Sequence, residues 1–157
     1  MKSKRPHVRS IEIRDGHLTA TANGKVLFEI AVEDIAAVGE LTTNGGPWLP
    51  DHFLVLVTRD GARDLRVAIE SEGFDRLREE LRAARGIEFE FMLANRTDWA
   101  TAVLWPHDLR GRPLYAVHPV PREKGIFASL LDRILPRMRT ELTAAVRERC
   151  TKPREMS

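Results

Sequence analysis

Residues 51–86 read DHFLVLVTRDGARDLRVAIESEGFDRLREELRAARG. The run at 53–57 is almost continuously apolar, which is typical of a strand buried on both faces. Asp60-Gly61 is a turn signal, and alternating apolar residues follow it over 65–69. This stretch therefore predicts two neighbouring antiparallel strands, the first of them central in a sheet.

A helix is predicted directly after these strands. Four apolar residues recur at helical spacing: Phe74, Leu77, Leu81 and Ala84. Ser71 stands where an N-cap is expected and Gly86 where helices commonly end, which places the helix over 72–85. Its apolar face should form one layer with the strands, with a core of Leu54, Leu56, Leu65, Val67, Phe74, Leu77 and Leu81.

The residues before this stretch indicate a series of strands. Asp-Gly at 15–16 and Asn-Gly at 23–24 are hairpin turn signals, and each is flanked by alternating apolar residues. Further strands are predicted over 26–30 and 35–41. The sequence thus predicts an antiparallel meander with one wet face.

The residues after the helix are harder to assign. Residues 87–95 fit either a strand or a short helix, because short apolar runs satisfy both periods. A last strand is predicted over 100–105. We therefore expect an α+β domain over 1–105, an antiparallel β-meander of about six or seven strands covered by a helix. Residues 106–157 should form an irregular connection and a basic, amphipathic helical extension.

The predicted extension carries an apolar stripe, centred on Leu131, Ile134, Met138 and Leu142. Pro136 interrupts it, so two helices or a kinked one are expected. The stripe could dock on the domain's own sheet, pair with a second copy or another protein, or lie on a membrane or nucleic acid. Covering by protein is the favoured prediction, since soluble chains seldom expose such stripes.

Composition and charge point to a water-soluble globular chain. Hydrophobic residues make up 43% and charged residues 31%, and no run approaches the ~18 apolar residues of a membrane span. Residues 1–105 hold 14 Lys and Arg against 17 Asp and Glu, whereas residues 106–157 hold 11 against 6. The basic character thus belongs to the extension. A single cysteine, Cys150, rules out an internal disulfide and suggests a cytoplasmic protein.

No motif in the chain specifies catalysis or a cofactor. No two histidines have the three- or four-residue spacing that places ligand pairs on one helix face: His7, His17, His52, His107 and His118. The adjacent pair Asp51 and His52 should point to opposite faces of a strand. Gly45-Gly46 lacks the lysine of a phosphate-binding loop, and no Gly-x-Ser-x-Gly elbow occurs. We therefore expect no metal, no cofactor and no catalytic residues.

Trp48 is the most suggestive single residue. It lies on a predicted loop between Pro47 and Pro50, and an exposed aromatic on a stiff loop is a good anchor for a partner. In the alternative, the loop folds back and Trp48 is buried over the open end of the sheet.

A spaced set of residues in the middle third of the chain carries a resemblance: Gly46-Pro47-Trp48, Asp51, Phe53, Leu56, Glu72-Gly73, Leu77 and Trp105. The set resembles small uncharacterised bacterial proteins with a Gly-Pro-aromatic, Asp-x-Phe, Glu-Gly and Trp pattern. The order of elements is also similar to bacterial pleckstrin-homology-like domains. The resemblance implies that fold and no established activity.

These observations favour a non-catalytic protein-interaction module, an adaptor or an immunity-like protein, over other classes. Its partner would be another protein or a second copy of the chain. A small hydrolase or ligand-binding enzyme with a pocket near the Trp48 loop is the alternative. A deep cleft with convergent polar groups would favour the enzyme, and a flat apolar patch the module.

Overall fold

The computed structural model describes residues 8–44, 48–61, 63–120 and 137–153. Within these ranges the chain is an α+β protein with nine strands in three sheets and two α-helices. The predicted class is confirmed, whereas the single meander is replaced by a three-stranded sheet, a four-stranded sheet and a two-stranded ribbon. No helix in the described ranges is long and apolar enough to cross a membrane.

The three-stranded sheet is an antiparallel meander of β1 (Ser10–Arg14), β2 (His17–Ala22) and β3 (Lys25–Ala31). Both predicted hairpin turns are confirmed. At 15–16 and 23–24, each Asp-Gly or Asn-Gly pair has positive φ at both residues, which is the conformation that two-residue hairpins favour.

The four-stranded sheet comprises β4 (Ile35–Thr42), β5 (His52–Thr58), β6 (Asp64–Ala68) and β7 (Ala100–Trp105). Its order is β6-β5-β4-β7, with antiparallel neighbours. Every residue of β5 is buried, which confirms the prediction of a central strand covered on both faces.

Helix α1 (Phe74–Arg85) begins two residues later than predicted. Ser71 does not cap it, because the Ser71 hydroxyl donates to the backbone carbonyl of Val8 at 3.0 Å. Gly73 is the N-cap instead, with φ at +85°, and a Cβ there would collide with the carbonyl oxygen of Ile11. The close approach of β1 therefore requires glycine at this position.

One hydrophobic cluster joins α1, the three-stranded sheet and what we call the first face of the four-stranded sheet. Leu77 and Leu81 of α1 are fully buried in it. The predicted core is confirmed: Leu54, Leu56, Val67, Phe74, Leu77 and Leu81 are buried there, and Leu65 packs against them.

The end of the chain differs from the prediction. Residues predicted to be helical form strand β9 (Arg137–Leu142), which pairs antiparallel with β8 (Tyr115–Val120), so Met138 and Leu142 lie on a strand. Apolar residues at 138 and 142 fit a period of two as well as a helix, and the ladder with β8 satisfies the backbone amides. Helix α2 (Ala144–Thr151) follows. Leu131 and Ile134 lie outside the described residues.

The second face of the four-stranded sheet packs against residues that follow Trp105. Leu114, Tyr115, Val146 and Cys150 are buried against it in a second hydrophobic cluster. A Cβ added to Gly39 would lie 2.6 Å from Cδ2 of Leu114, so this glycine of β4 makes room for the leucine.

A buried tyrosine links the ribbon to the edge of the four-stranded sheet. The Tyr115 hydroxyl donates to the Asp64 carboxylate at 2.5 Å, and the Arg66 guanidinium lies 5.4 Å from the ring centroid. Burial, together with the neighbouring Asp64, raises the pKa of Tyr115 above its usual range. Burial likewise raises the pKa of the Cys150 thiol.

Candidate functional site

Three strands of the four-stranded sheet share one end, where exposed apolar residues gather. β4 ends at Thr42, whose partners are His52 at the start of β5 and Ala100 at the start of β7. Trp48 lies in the loop between β4 and β5, and Trp99 immediately precedes β7, so both indoles lie at this end. We call it the aromatic end; its exposed apolar side chains are Trp48, Leu49 and Trp99.

Trp48 is the most exposed of these side chains, at 91%. The loop that carries it is closed at its base, where the Thr43 amide donates to the Asp51 carbonyl at 2.8 Å. The alternative in which Trp48 is buried over the sheet is therefore wrong. Pro47, its predicted companion, lies outside the described residues.

A buried carboxyl group lies behind the aromatic end. Glu40 on the first face of β4 is fully buried, and its Oε1 accepts hydrogen bonds from the backbone amides of Met92 and Leu93, at 2.7 and 2.8 Å. Its Oε2 lies 3.0 Å from Nε2 of His52 on β5. Buried polar groups of this kind are costly unless they are hydrogen-bonded, and Glu40 has three partners.

His52 connects this pair to a group of aromatic rings. Its imidazole makes an edge contact with Phe91, with centroids 4.8 Å apart, and Phe91 in turn contacts Phe74 and Phe89. The Arg78 guanidinium of α1 lies over the Phe89 and Phe91 rings and donates to the Phe89 carbonyl. The rings therefore tie the segment after α1 to both the helix and the sheet.

The segment between α1 and β7, residues 87–99, is neither strand nor helix. Ile87 and Phe89 anchor it in the first cluster, and Glu40 holds its middle. Its end is held by the Thr42 hydroxyl, which donates to the Asp98 carbonyl at 2.8 Å. An irregular segment fixed at three points in this way presents its exposed side chains in a defined position.

Charged residues surround the aromatic end. Asp51 precedes β5 and Glu70 follows β6, and both are exposed. Because β5 and β6 are antiparallel neighbours, with Phe53 opposite Ala68, these carboxylates lie at the same end of the sheet as the indoles. Arg96 and Asp98 in the 87–99 segment form an exposed ion pair, with two contacts at 2.9 and 2.7 Å.

The sequence prediction identified Trp48 but missed the residues around it. Glu40, His52 and Trp99 carried no motif, although a glutamate inside an otherwise apolar strand is a signal of a buried polar contact. Of the other predicted residues, Met138 and Leu142 are the ones within the described part of the chain. The backbone of Met138 lies in β9, and Leu142 packs against the second cluster.

Two open grooves lie elsewhere on the molecule. One, of about 830 Å³, runs between α1 and residues 87–90, with His107 and Arg110 beside it. The other, of about 940 Å³, separates the end of β3 from the end of α2. Charged side chains dominate the lining of the first groove, the lining of the second is mixed, and neither includes Trp48. Among the described residues, no three His, Cys, Asp or Glu side chains are grouped to hold a metal ion.

Comparisons with family models, with curated proteins and with solved structures find no match for this chain. The aromatic end combines exposed aromatic and apolar side chains with exposed charged groups.

Proposed function

We propose that this chain is a non-catalytic protein-interaction module that binds its partner through the aromatic end. The observation that carries the proposal is the 91% exposure of Trp48 at the end of a rigid sheet, with Trp99 at the same end. Tryptophan is enriched among the residues that contribute most to binding energy, and exposed aromatic clusters mark interaction sites.

The hydrogen bonds that hold the 87–99 segment behind the aromatic end agree with this function. A surface that is already ordered before binding loses less conformational entropy when the partner arrives. Glu40 and Thr42 fix the 87–99 segment by three hydrogen bonds of 2.7 to 2.8 Å, which orders Met92 and Trp99 in advance. An adaptor and an immunity protein against a toxin both use such a surface, and the identity of the partner distinguishes them.

The test is a comparison of three forms of the protein, each immobilised and exposed to a lysate of the source cell. Trp48→Ala should lose a protein that the native form retains, and its affinity for the purified partner should fall roughly 30-fold, as for a residue worth ~2 kcal/mol. Val26→Ala is the matched control, because Val26 is also an exposed apolar residue, at 61%, but lies on the three-stranded sheet.

Trp48→Ala should leave the free energy of unfolding within about 0.5 kcal/mol of the native value, because the indole has few contacts to lose. Equal retention of the partner by all three forms would refute the proposal. So would a Trp48→Ala variant that loses its partner only because it unfolds, which circular dichroism would reveal.

A further inference from the structure

We infer that the aromatic end recognises a basic partner, a protein segment that presents Lys or Arg side chains among apolar residues. The inference rests on the proposed function and specifies the chemistry of the partner. Three features of the described residues carry it: two free carboxylates, two indoles with no cation over them, and a neutralised arginine.

The carboxylates are those of Asp51 and Glu70. Both are exposed, and within the described part of the chain neither makes an ion pair or a side-chain hydrogen bond. Among the described residues of this end, Arg96 is held by Asp98 through a bidentate contact. The described charged groups of the aromatic end thus sum to about −2, a charge that attracts cations and repels phosphates and acidic peptides.

Among the described residues, several aromatic rings have an arginine over one face, unlike the two indoles of the aromatic end. Arginines lie over the rings of four other aromatic residues, at 5.2 to 5.8 Å from their centroids: Phe89, Phe91, Trp105 and Tyr115. No described arginine or lysine lies over Trp48 or Trp99. Tryptophan is the strongest ring for this contact, and no cation of the described residues occupies either indole.

The geometry combines these features on a single surface. The carboxylates follow β6 and precede β5, whereas Trp48 lies in the loop between β4 and β5 and Trp99 precedes β7, so the acidic groups lie beside the indoles along one end of the sheet. Leu49, which is also exposed, adds an apolar contact. A segment with cationic and apolar side chains satisfies all of these groups at once.

The test uses a displayed library of random peptides as the probe. Peptides are selected on the native protein and then compared for binding to Trp48→Ala, to the double variant Asp51→Asn/Glu70→Gln, and to Asp75→Asn/Glu79→Gln. The last is the matched control, since it removes two exposed carboxylates from α1 and changes the net charge equally.

Selected peptides should be enriched in Lys, Arg and apolar residues. Their affinity should fall about 10-fold in Trp48→Ala and about 3- to 10-fold in Asp51→Asn/Glu70→Gln, the latter effect shrinking at high salt. The control variant should bind them as the native protein does.

Several outcomes would overturn the inference, and they differ in what they say of the proposed function. Acidic or uncharged peptides whose binding depends on Trp48 would refute the basic partner and leave the proposed function standing. Basic peptides that bind Trp48→Ala unchanged, or that respond to the α1 control instead, would place binding away from the aromatic end. A library that yields no peptide preferring the native protein over Trp48→Ala would also overturn it, and partner capture would then decide the proposed function by itself.

Discussion

The two faces of the four-stranded sheet are covered by parts of the chain at very different sequence distances. The first face packs against α1, which follows β6 almost directly, and against the three-stranded sheet, which precedes β4. The second face packs against Leu114, Tyr115, Val146 and Cys150, which follow β7. A cover supplied by neighbouring elements can be found from local periodicity, whereas one supplied across many residues depends on pairings that no local pattern shows.

A buried polar contact lies on each face, and these two contacts have different consequences. On the first face, Glu40 and His52 hold the irregular 87–99 segment and thereby the aromatic end. On the second face, Tyr115 and Asp64 tie the ribbon to the edge strand β6. The first contact orders a candidate binding surface, and the second holds the β8–β9 ribbon against the sheet. The predictions below test this division from the largest expected effect to the smallest.

Truncation after Gly125 should have the largest effect, because it removes β9 and α2 and exposes the second face. Val146 and Cys150 are almost fully buried, at 1% exposure each, so the truncated chain loses core contacts. We expect a marked drop in melting temperature and increased binding of a dye that reports exposed apolar surface. A truncated protein that stays folded but runs as a smaller species on sizing would show instead that these residues mediate association.

Leu77→Ala should destabilise the first face by ~2 to 5 kcal/mol, the usual range for a leucine truncated in a core. Chemical denaturation measures the change. Leu114→Ala is the matched variant on the second face, since Leu114 is equally buried. Losses of similar size would make the two faces equal parts of one core. A much smaller loss of stability for Leu114→Ala would show that the residues packed on the second face contribute little to the stability of the domain.

The sequence predicted the first face well for physical reasons. Asn-Gly and Asp-Gly turns are short-range signals, and the 3.6-residue spacing of Phe74, Leu77 and Leu81 defines one helix face whatever lies opposite. The errors lie where the partner is distant. Residues 137–142 satisfy both periods, and only their pairing with β8 decides for a strand. The same holds for the site: turn residues predicted that Trp48 lies on a loop but left its exposure open, and its grouping with Trp99 and Glu40 required the register of β4, β5 and β7.

Glu40→Ala should cost about 2 kcal/mol, because it leaves the part-buried Met92 and Leu93 amides without their acceptor. Glu40→Gln is the control: its amide oxygen can still accept from both backbone groups, and its nitrogen can donate to His52. Amide hydrogen exchange should show faster exchange at 92–93 in the alanine variant and little change in the glutamine variant. Equal exchange in both variants would mean that the carboxyl group does not order the 87–99 segment.

Tyr115→Phe should have the smallest effect, about 1.5 kcal/mol, because it removes the hydrogen bond to the Asp64 carboxylate and keeps the packing of the ring. Tyr115 is the only tyrosine, so phenolate absorbance near 295 nm reports this residue alone. Its pKa is raised in the folded protein, so the native state keeps the proton at a pH where the unfolded chain loses it, and stability should fall as the pH rises above ~10.

The absorbance titration therefore separates a tightly packed second face from a loose one. In denaturant, the phenolate signal should appear with a midpoint near 10, the ordinary value for tyrosine. In the native protein it should remain absent at that pH and appear only with alkaline unfolding, followed in parallel by circular dichroism. Ionisation near pH 10 in a chain that is still folded would show that water reaches the Tyr115 hydroxyl. The ribbon would then open readily. The second face would be less stably packed than the first, in addition to being covered by residues more distant in sequence.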